Sequence, residues 1–151
     1  MGQDGAVEGD ILLRAGRADP GEVAVHDGTR GLTWTQLETN ARRAAHALLA
    51  AGVSAQAPWA LLSHNRTEWV ELWLANTMAG SRYVPLNWHL TAPELAYLLT
   101  NSGSTLLITE QALNSVAREA ATLAGLPADR IVVLEDGYEV WRDAHLSLIH
   151  I

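Results

Sequence analysis

The chain has 151 residues, 48% of them apolar and 18% charged, which is enough for one domain with a substantial core and is neither a disordered nor a membrane composition. A net charge of -7 argues against a broad nucleic-acid surface, and the absence of cysteine removes disulfides and thiolate metal sites. All ten basic residues are arginine, so there is no Walker-type phosphate lysine, no Schiff base and no lysine general base.

The opening "MGQDGAVEGD" is acidic and small, with neither a secretory signal nor a basic amphipathic transit peptide, and no apolar run is long enough to span a bilayer. A cytoplasmic protein is expected. The missing lysine fits a GC-rich genome that favours arginine codons.

Residues 1–18 are read as an N-terminal arm with a short helix. "EVAVHDGTRGLTW" then reads as a hairpin turning through Asp27, Gly28, Thr29, Arg30 and Gly31. The next helix has a full start signal: Thr33 as N-cap, Gln36 three residues on, and Leu32 with Leu37 as a hydrophobic staple. Its inward face is Leu37, Ala41, Ala44, Ala45 and Leu48; Arg42, Arg43 and His46 form a solvated face, and Gly52 is the stop.

"PWALL" is a buried strand closed by Ser63, His64 and Asn65. Asn65 and Glu68 repeat the capping-box spacing for a second helix with a core stripe of Trp69, Leu72, Trp73 and Asn76 or Thr77. "SRYVPLN" is a strand. Thr91 and Glu94 open a third helix, with Leu90 and Leu95 as a second staple and Pro93 in the first turn, where its missing N–H costs little. "TLLIT" is a strand, "EQALNSVAREAATLAG" a helix ending at Gly125, and "RIVVLED" a strand; "EDGYEVWRDA" reads as a polar connection. Strands alternating with helices imply right-handed crossovers and an α/β fold with a mostly parallel sheet and flanking helices.

Such sheets bind ligands at the carboxyl ends of their strands. No G-x-G-x-x-G follows any strand, no G-x-x-x-x-G-K-[ST] exists, and neither an H-x-x-x-H or H-E-x-x-H pair nor a G-x-S-x-G elbow occurs. His64 follows a strand, where ligand loops are found, and is read as a hydrogen bond at the helix start. His89, between Asn87-Trp88 and the capped helix, is read as loop packing. Trp69 and Trp73, one turn apart, are read as core, and Trp59 and Tyr83 as space-filling strand residues. No residue is assigned as catalytic, cofactor-binding or metal-binding.

The order of these pieces carries a resemblance. "LTWTQLETNARRAAHALLAAGV" and "ALLSHNRTEWVELWLANTMAGSRYVPLNWHLTAPELAYLLTNSGSTLLIT" are similar to the N-terminal region of AMP-forming acyl-CoA synthetases of the adenylate-forming superfamily, in one register from about Asp19 to about Arg142. "YVPLNWHLTAPELAYLL" resembles the fatty-acyl-CoA ligases more than peptide-synthetase adenylation domains. One departure stands out: Ser54-Ala55-Gln56-Ala57-Pro58 replaces the family's Gly-Asp pair and basic residue, which is expected to loosen that turn.

The resemblance implies two steps. A carboxylate attacks the α-phosphate of ATP to give an acyl-adenylate and pyrophosphate, and coenzyme A thiolate then displaces AMP, with Mg²⁺ assisting. The family's phosphate loop, adenine segment, ribose aspartate and C-terminal lysine all lie beyond the matched region, so none is carried onto a position here. Residues 19–145 are therefore expected to be a partial AMP-binding domain, an incomplete first subdomain that is inactive alone. Its unpaired sheet edge and uncovered apolar surface should make it fold poorly or aggregate alone. Its implied partners are the small-molecule acid, ATP, CoA and the rest of its own chain. Two other readings stay open: a free-standing α/β binding module that lost the chemistry, or a related adenylating enzyme such as a peptide-synthetase adenylation domain or an aryl-acid ligase.

"LSLIHI", residues 146–151, resembles the in-frame translation of a transposase adapter used in sequencing libraries (CTG TCT CTT ATA CAC ATC). It is read as a non-native tail rather than a further strand.

Overall fold

The computed structural model describes Arg14 and residues 16–145; the expectations for residues 1–13 and for the tail 146–151 lie outside the described residues. Two compact units emerge. Among the described residues, one takes those up to 50, 65–80 and 142–145, and the other takes 51–64 and 81–141.

The first unit begins with strands β1 (Val23–His26) and β2 (Gly31–Thr33), antiparallel with His26 opposite Gly31 and an irregularity between Val23 and Val25. Asp27 organises the turn. Its Oδ1 accepts the backbone N–H of Thr29 at 3.0 Å and of Arg30 at 2.8 Å, and its Oδ2 accepts that of Thr67 at 3.1 Å. These backbone donors, Arg30 first, then Thr29 and Thr67, hold the Asp27 carboxyl at about 2, below its ordinary 3.8.

Helix α1 (Trp34–Ala50) starts as its sequence requires. Thr33 N–H donates to Gln36 Oε1 at 2.9 Å and Gln36 N–H to Thr33 Oγ1 at 3.2 Å, a reciprocal box that satisfies two otherwise orphaned donors. Leu32 and Leu37, the staple pair, are buried in one cluster with Ala41 and Leu74. Ala44, Ala45, Ala47 and Leu48 complete the buried face.

The solvated face is corrected. Arg42, Arg43 and His46 are half-buried. Arg42 pairs with Glu38 at 2.9 Å and Arg43 with Asp143 at 3.8 Å. Burial pushes the Glu38 carboxyl up, but its hydrogen bonds to Arg17 and Arg42 outweigh that and leave it lowered.

Helix α2 (Thr67–Ala79) departs from expectation at both its start and its face. Arg66, not Asn65, is the N-cap, with no side-chain cap bond of its own. The Thr67 N–H is capped instead by Asp27, forty residues upstream. Glu68 is thereby free of box duty and receives Arg66 Nε at 3.2 Å and Arg30 Nη1 at 3.3 Å. The buried stripe is Thr67, Glu68, Glu71, Leu72, Leu74 and Ala75, while Trp69 and Trp73 are only half-buried. Two carboxylates occupy buried positions because arginines reach them, a compensation that hydrophobic periodicity cannot register. Glu71, 1% exposed, meets Arg142 Nη1 at 3.4 Å.

The second unit carries strands β3 (Trp59–Leu62), β4 (Tyr83–Pro85), β5 (Leu106–Thr109) and β6 (Ile131–Val133), all parallel, in the order β4-β3-β5-β6. Trp59 lies opposite both Tyr83 and Leu106, and Ile108 lies opposite Val132. Every residue of β3 and β5 is buried, as befits the inner strands of a parallel sheet. Ala60, Leu62 and Leu107 point into one cluster with Leu95 and Leu99 of helix α3 (Ala92–Ser102) and Ala117, Ala120 and Ala121 of helix α4 (Asn114–Ala124). Trp59, fully buried, stacks on Tyr83 with centroids 5.5 Å apart.

Local signals hold in this unit with adjustments. Thr91 is the N-cap of α3, but its Oγ1 donates to Glu94 Oε1 at 2.9 Å rather than accepting a backbone bond. Gly103 and Gly125 close α3 and α4 at φ 70° and 75°, a region that side-chain-bearing residues avoid. The turn at Ser54 is not loose: Ser54 Oγ accepts the N–H groups of Gln56 and Ala57 at 3.2 and 3.1 Å. The helix expected from Glu110 begins with a 3₁₀ turn (Gln111–Leu113) and becomes α-helical at Asn114. The stretch read as a polar connection contains helix α5 (Tyr138–Asp143). Gly137 turns the chain, Trp141 N–H reaches its carbonyl at 2.9 Å, and Tyr138 is 1% exposed.

Candidate functional site

The carboxyl ends of the four parallel strands gather the polar side chains that strand alternation excludes from the core. β3 connects forward to β4 on one side of it, and β5 connects to β6 on the other, so the strand order reverses between β3 and β5. Open α/β sheets form their ligand crevice at that reversal.

His64 stands two residues beyond β3 and Glu110 directly beyond β5, bracketing this point. The Glu110 side chain is 8% exposed. Its Oε1 accepts the His64 backbone N–H at 2.7 Å and also faces the His64 ring at Nδ1. The His64 side chain is 41% exposed. Trp88, from the loop after β4, sets its ring 4.3 Å from that of His64, and His89 stacks on Trp88 at 3.6 Å.

Neighbouring bonds tie the same edge together. Thr109 Oγ1 donates to Leu62 O at 2.9 Å, Ser63 Oγ to His64 O at 2.8 Å, and Gln111 N–H to Glu135 Oε2 at 3.0 Å. Asn87 holds the loop: its Oδ1 accepts His89 N–H at 3.0 Å and its carbonyl accepts Leu90 N–H at 3.1 Å. An open hollow of about 430 Å³ beside this loop is lined by Leu90, Pro93, Glu94, Tyr97 and Leu98.

The sequence reading met this edge in part. The hydrogen bond read for His64 goes to Glu110, 46 positions away, because a buried carboxylate needs donors. His89 packs in its loop, as read, against Trp88. Glu110 was missed, having been assigned to a helix. The available signal was an acidic residue directly after a fully apolar strand.

No glycine-rich loop follows a strand, no lysine exists, and among the described residues no three His, Asp or Glu side chains are grouped to hold a metal ion. Among the described residues no helix is long and apolar enough to cross a membrane.

A four-stranded parallel sheet with an order reversal and flanking helices defines an α/β protein. The AMP-binding enzyme family matches residues 12–145. The fatty acid–[acyl-carrier-protein] ligase ScoC of Streptomyces coeruleorubidus is 34% identical over 129 residues, covering 85% of this chain and 24% of that protein. A medium/long-chain-fatty-acid–CoA/3-oxocholest-4-en-26-oate–CoA ligase of Mycobacterium tuberculosis (strain ATCC 25618 / H37Rv) is 37% identical over 129 residues, covering 85% of this chain and 23% of that protein. Among solved structures, a benzoate CoA ligase from Burkholderia xenovorans LB400 superposes with a TM-score of 0.82 at 28% identity, over 91% of this chain and 28% of that one. The chain belongs to the AMP-binding enzyme family, and its fold is that of the N-terminal domains of adenylate-forming enzymes. It spans about a quarter of the length of these curated relatives.

Proposed function

We propose that this chain is part of an ATP-dependent acid–thiol ligase that activates a fatty acid as its acyl-adenylate and passes it to coenzyme A. The observation that carries the reading is the family match over residues 12–145, joined by relatives named as fatty-acid ligases at 34% and 37% identity. Within that enzyme residues 19–145 supply scaffold: the four-stranded sheet and the ordered edge at His64, Glu110 and Trp88. ATP, Mg²⁺ and CoA are handled by residues outside this chain, so the 151 residues alone are inactive. Under the same reading, residues 146–151 belong to a library adapter and not to the ligase. Sequencing the source DNA by a transposase-free method would remove that assignment if the genome itself encodes Leu-Ser-Leu-Ile-His-Ile.

The activity test is acid-dependent ATP–pyrophosphate exchange on the complete gene product, comparing dodecanoate with benzoate and ferulate, beside the 151-residue chain. Exchange with dodecanoate by the complete protein and none by the short chain is the expected result. Exchange only with the aromatic acids would replace the fatty-acid reading by an aryl-acid ligase, which the benzoate ligase likeness and a 35% identical feruloyl-CoA synthase from Amycolatopsis sp favour as the second reading. No adenylation of any acid would refute the ligase assignment.

A further inference from the structure

We infer that Glu110 is a positioning residue: it fixes the tautomer of His64 and, through the His64 ring, holds Trp88 and the loop from Asn87 to Leu90 at the crevice. The inference rests on the ligase reading only for the meaning of that crevice. Its tests use the chain's own signals and need neither ATP nor CoA, so the two can fail separately.

The argument starts from one oxygen. Glu110 Oε1 receives the His64 backbone N–H at 2.7 Å and faces the ring Nδ1 of the same residue. An ionised carboxylate has no proton to give, so a bond at Nδ1 requires that nitrogen to be the donor. The neutral ring therefore carries its proton on Nδ1 and leaves Nε2 as an acceptor. Backbone and ring are gripped together, which removes the ring's rotational freedom. A ring so fixed meets Trp88 at a tilt of 54° with centroids 4.3 Å apart, while His89 stacks on Trp88 at 3.6 Å.

Beyond Leu86 the loop's bonds are local: His89 N–H to Asn87 Oδ1 and Leu90 N–H to Asn87 O. Leu86 N–H donates to Leu61 O at 2.9 Å and seats the start of the loop on β3, but no bond of the Asx-type turn beyond it chooses where the Trp88 ring lies. The Trp88 contact with a clamped imidazole supplies that choice. An acidic side chain after β5 thus sets the position of a ring on the loop that follows β4, although β3 lies between the two strands.

The decisive measurement is the ¹⁵N spectrum of the histidine-labelled complete gene product at a pH where the rings are neutral, with His64→Ala assigning the His64 signals. The Nδ1–H tautomer is expected for His64; finding the Nε2–H tautomer in the unaltered protein overturns the inference, whatever any variant does. Glu110→Ala should release the tautomer, redden Trp88 emission and speed exchange of the His89 and Leu90 amides by roughly tenfold, as the loss of a charged hydrogen bond implies. Glu110→Gln keeps an acceptor oxygen and should restore all three signals. If Glu110→Ala does not fold, His64→Ala removes the ring without touching the carboxylate and should give the same emission and exchange changes. Unchanged exchange in these variants, or loss of the signals in Glu110→Gln as well, refutes the positioning role.

Discussion

Replacing Arg142 by methionine should expose how much the first unit depends on one buried ion pair. Glu71 is 1% exposed and Arg142 8%, with Nη1 and Oε2 3.4 Å apart, and Arg142 also bonds Asp143 through Nε at 2.9 Å. With an effective dielectric of about 20, charges at that separation attract by roughly 5 kcal/mol, and desolvation offsets much of this in the intact pair. Removing only the arginine leaves the Glu71 charge in place with its desolvation still to be met, which costs about 3–5 kcal/mol. Amide hydrogen exchange of α2 reads this locally and does not require the whole chain to unfold in one step. Three kcal/mol corresponds to roughly a hundredfold faster exchange, since each 1.4 kcal/mol is about tenfold. The double variant Glu71→Leu with Arg142→Met should exchange close to the unaltered rate, because hydrophobic residues of similar volume replace such pairs at little cost. Acceleration under about tenfold in Arg142→Met, or a double variant as damaged as the single one, would refute the account.

Three further outcomes follow from the packing. Leu62→Ala removes a fully buried side chain from the cluster shared by the sheet, α3 and α4, and should lower stability by about 2–5 kcal/mol, read as a shift in urea midpoint. Thr33→Ala breaks one arm of the capping box and should cost about 1 kcal/mol, seen as faster exchange in the first turn of α1. The backbone donors hold Asp27 at about 2 in the folded chain against an ordinary 3.8, so its contribution is complete above about pH 5 and is lost as pH falls through 2. The stability difference between the unaltered chain and Asp27→Asn should therefore shrink across that window. A difference of undiminished size at pH 2 would remove the assignment.

The elements of this protein were legible because their signals are local. Apolar runs such as Trp59–Leu62 and Leu106–Thr109 have no polar alternation to satisfy, so they become inner strands. Thr33 and Gln36 lie three residues apart and bond each other without help from elsewhere in the chain. The matched stretches likewise sufficed to place the chain in its family, since family register is a property of residue order.

What the tertiary structure decided are contacts between residues distant in sequence. The cap of α2 is Asp27 rather than the Asn65 that sits beside it, because the hairpin turn brings a carboxylate to the helix's free N–H. Glu68 and Glu71 could be buried only once Arg30, Arg66 and Arg142 converged on them, and periodicity scores them as surface. His64 and Glu110 carry no motif. They meet because parallel pairing aligns the ends of β3 and β5, and a carboxylate withdrawn from water takes whichever donor the fold delivers. Local sequence specifies what each segment forms; which charge meets which is settled by the fold, since the cost of burying a charge depends on partners that adjacency does not reveal.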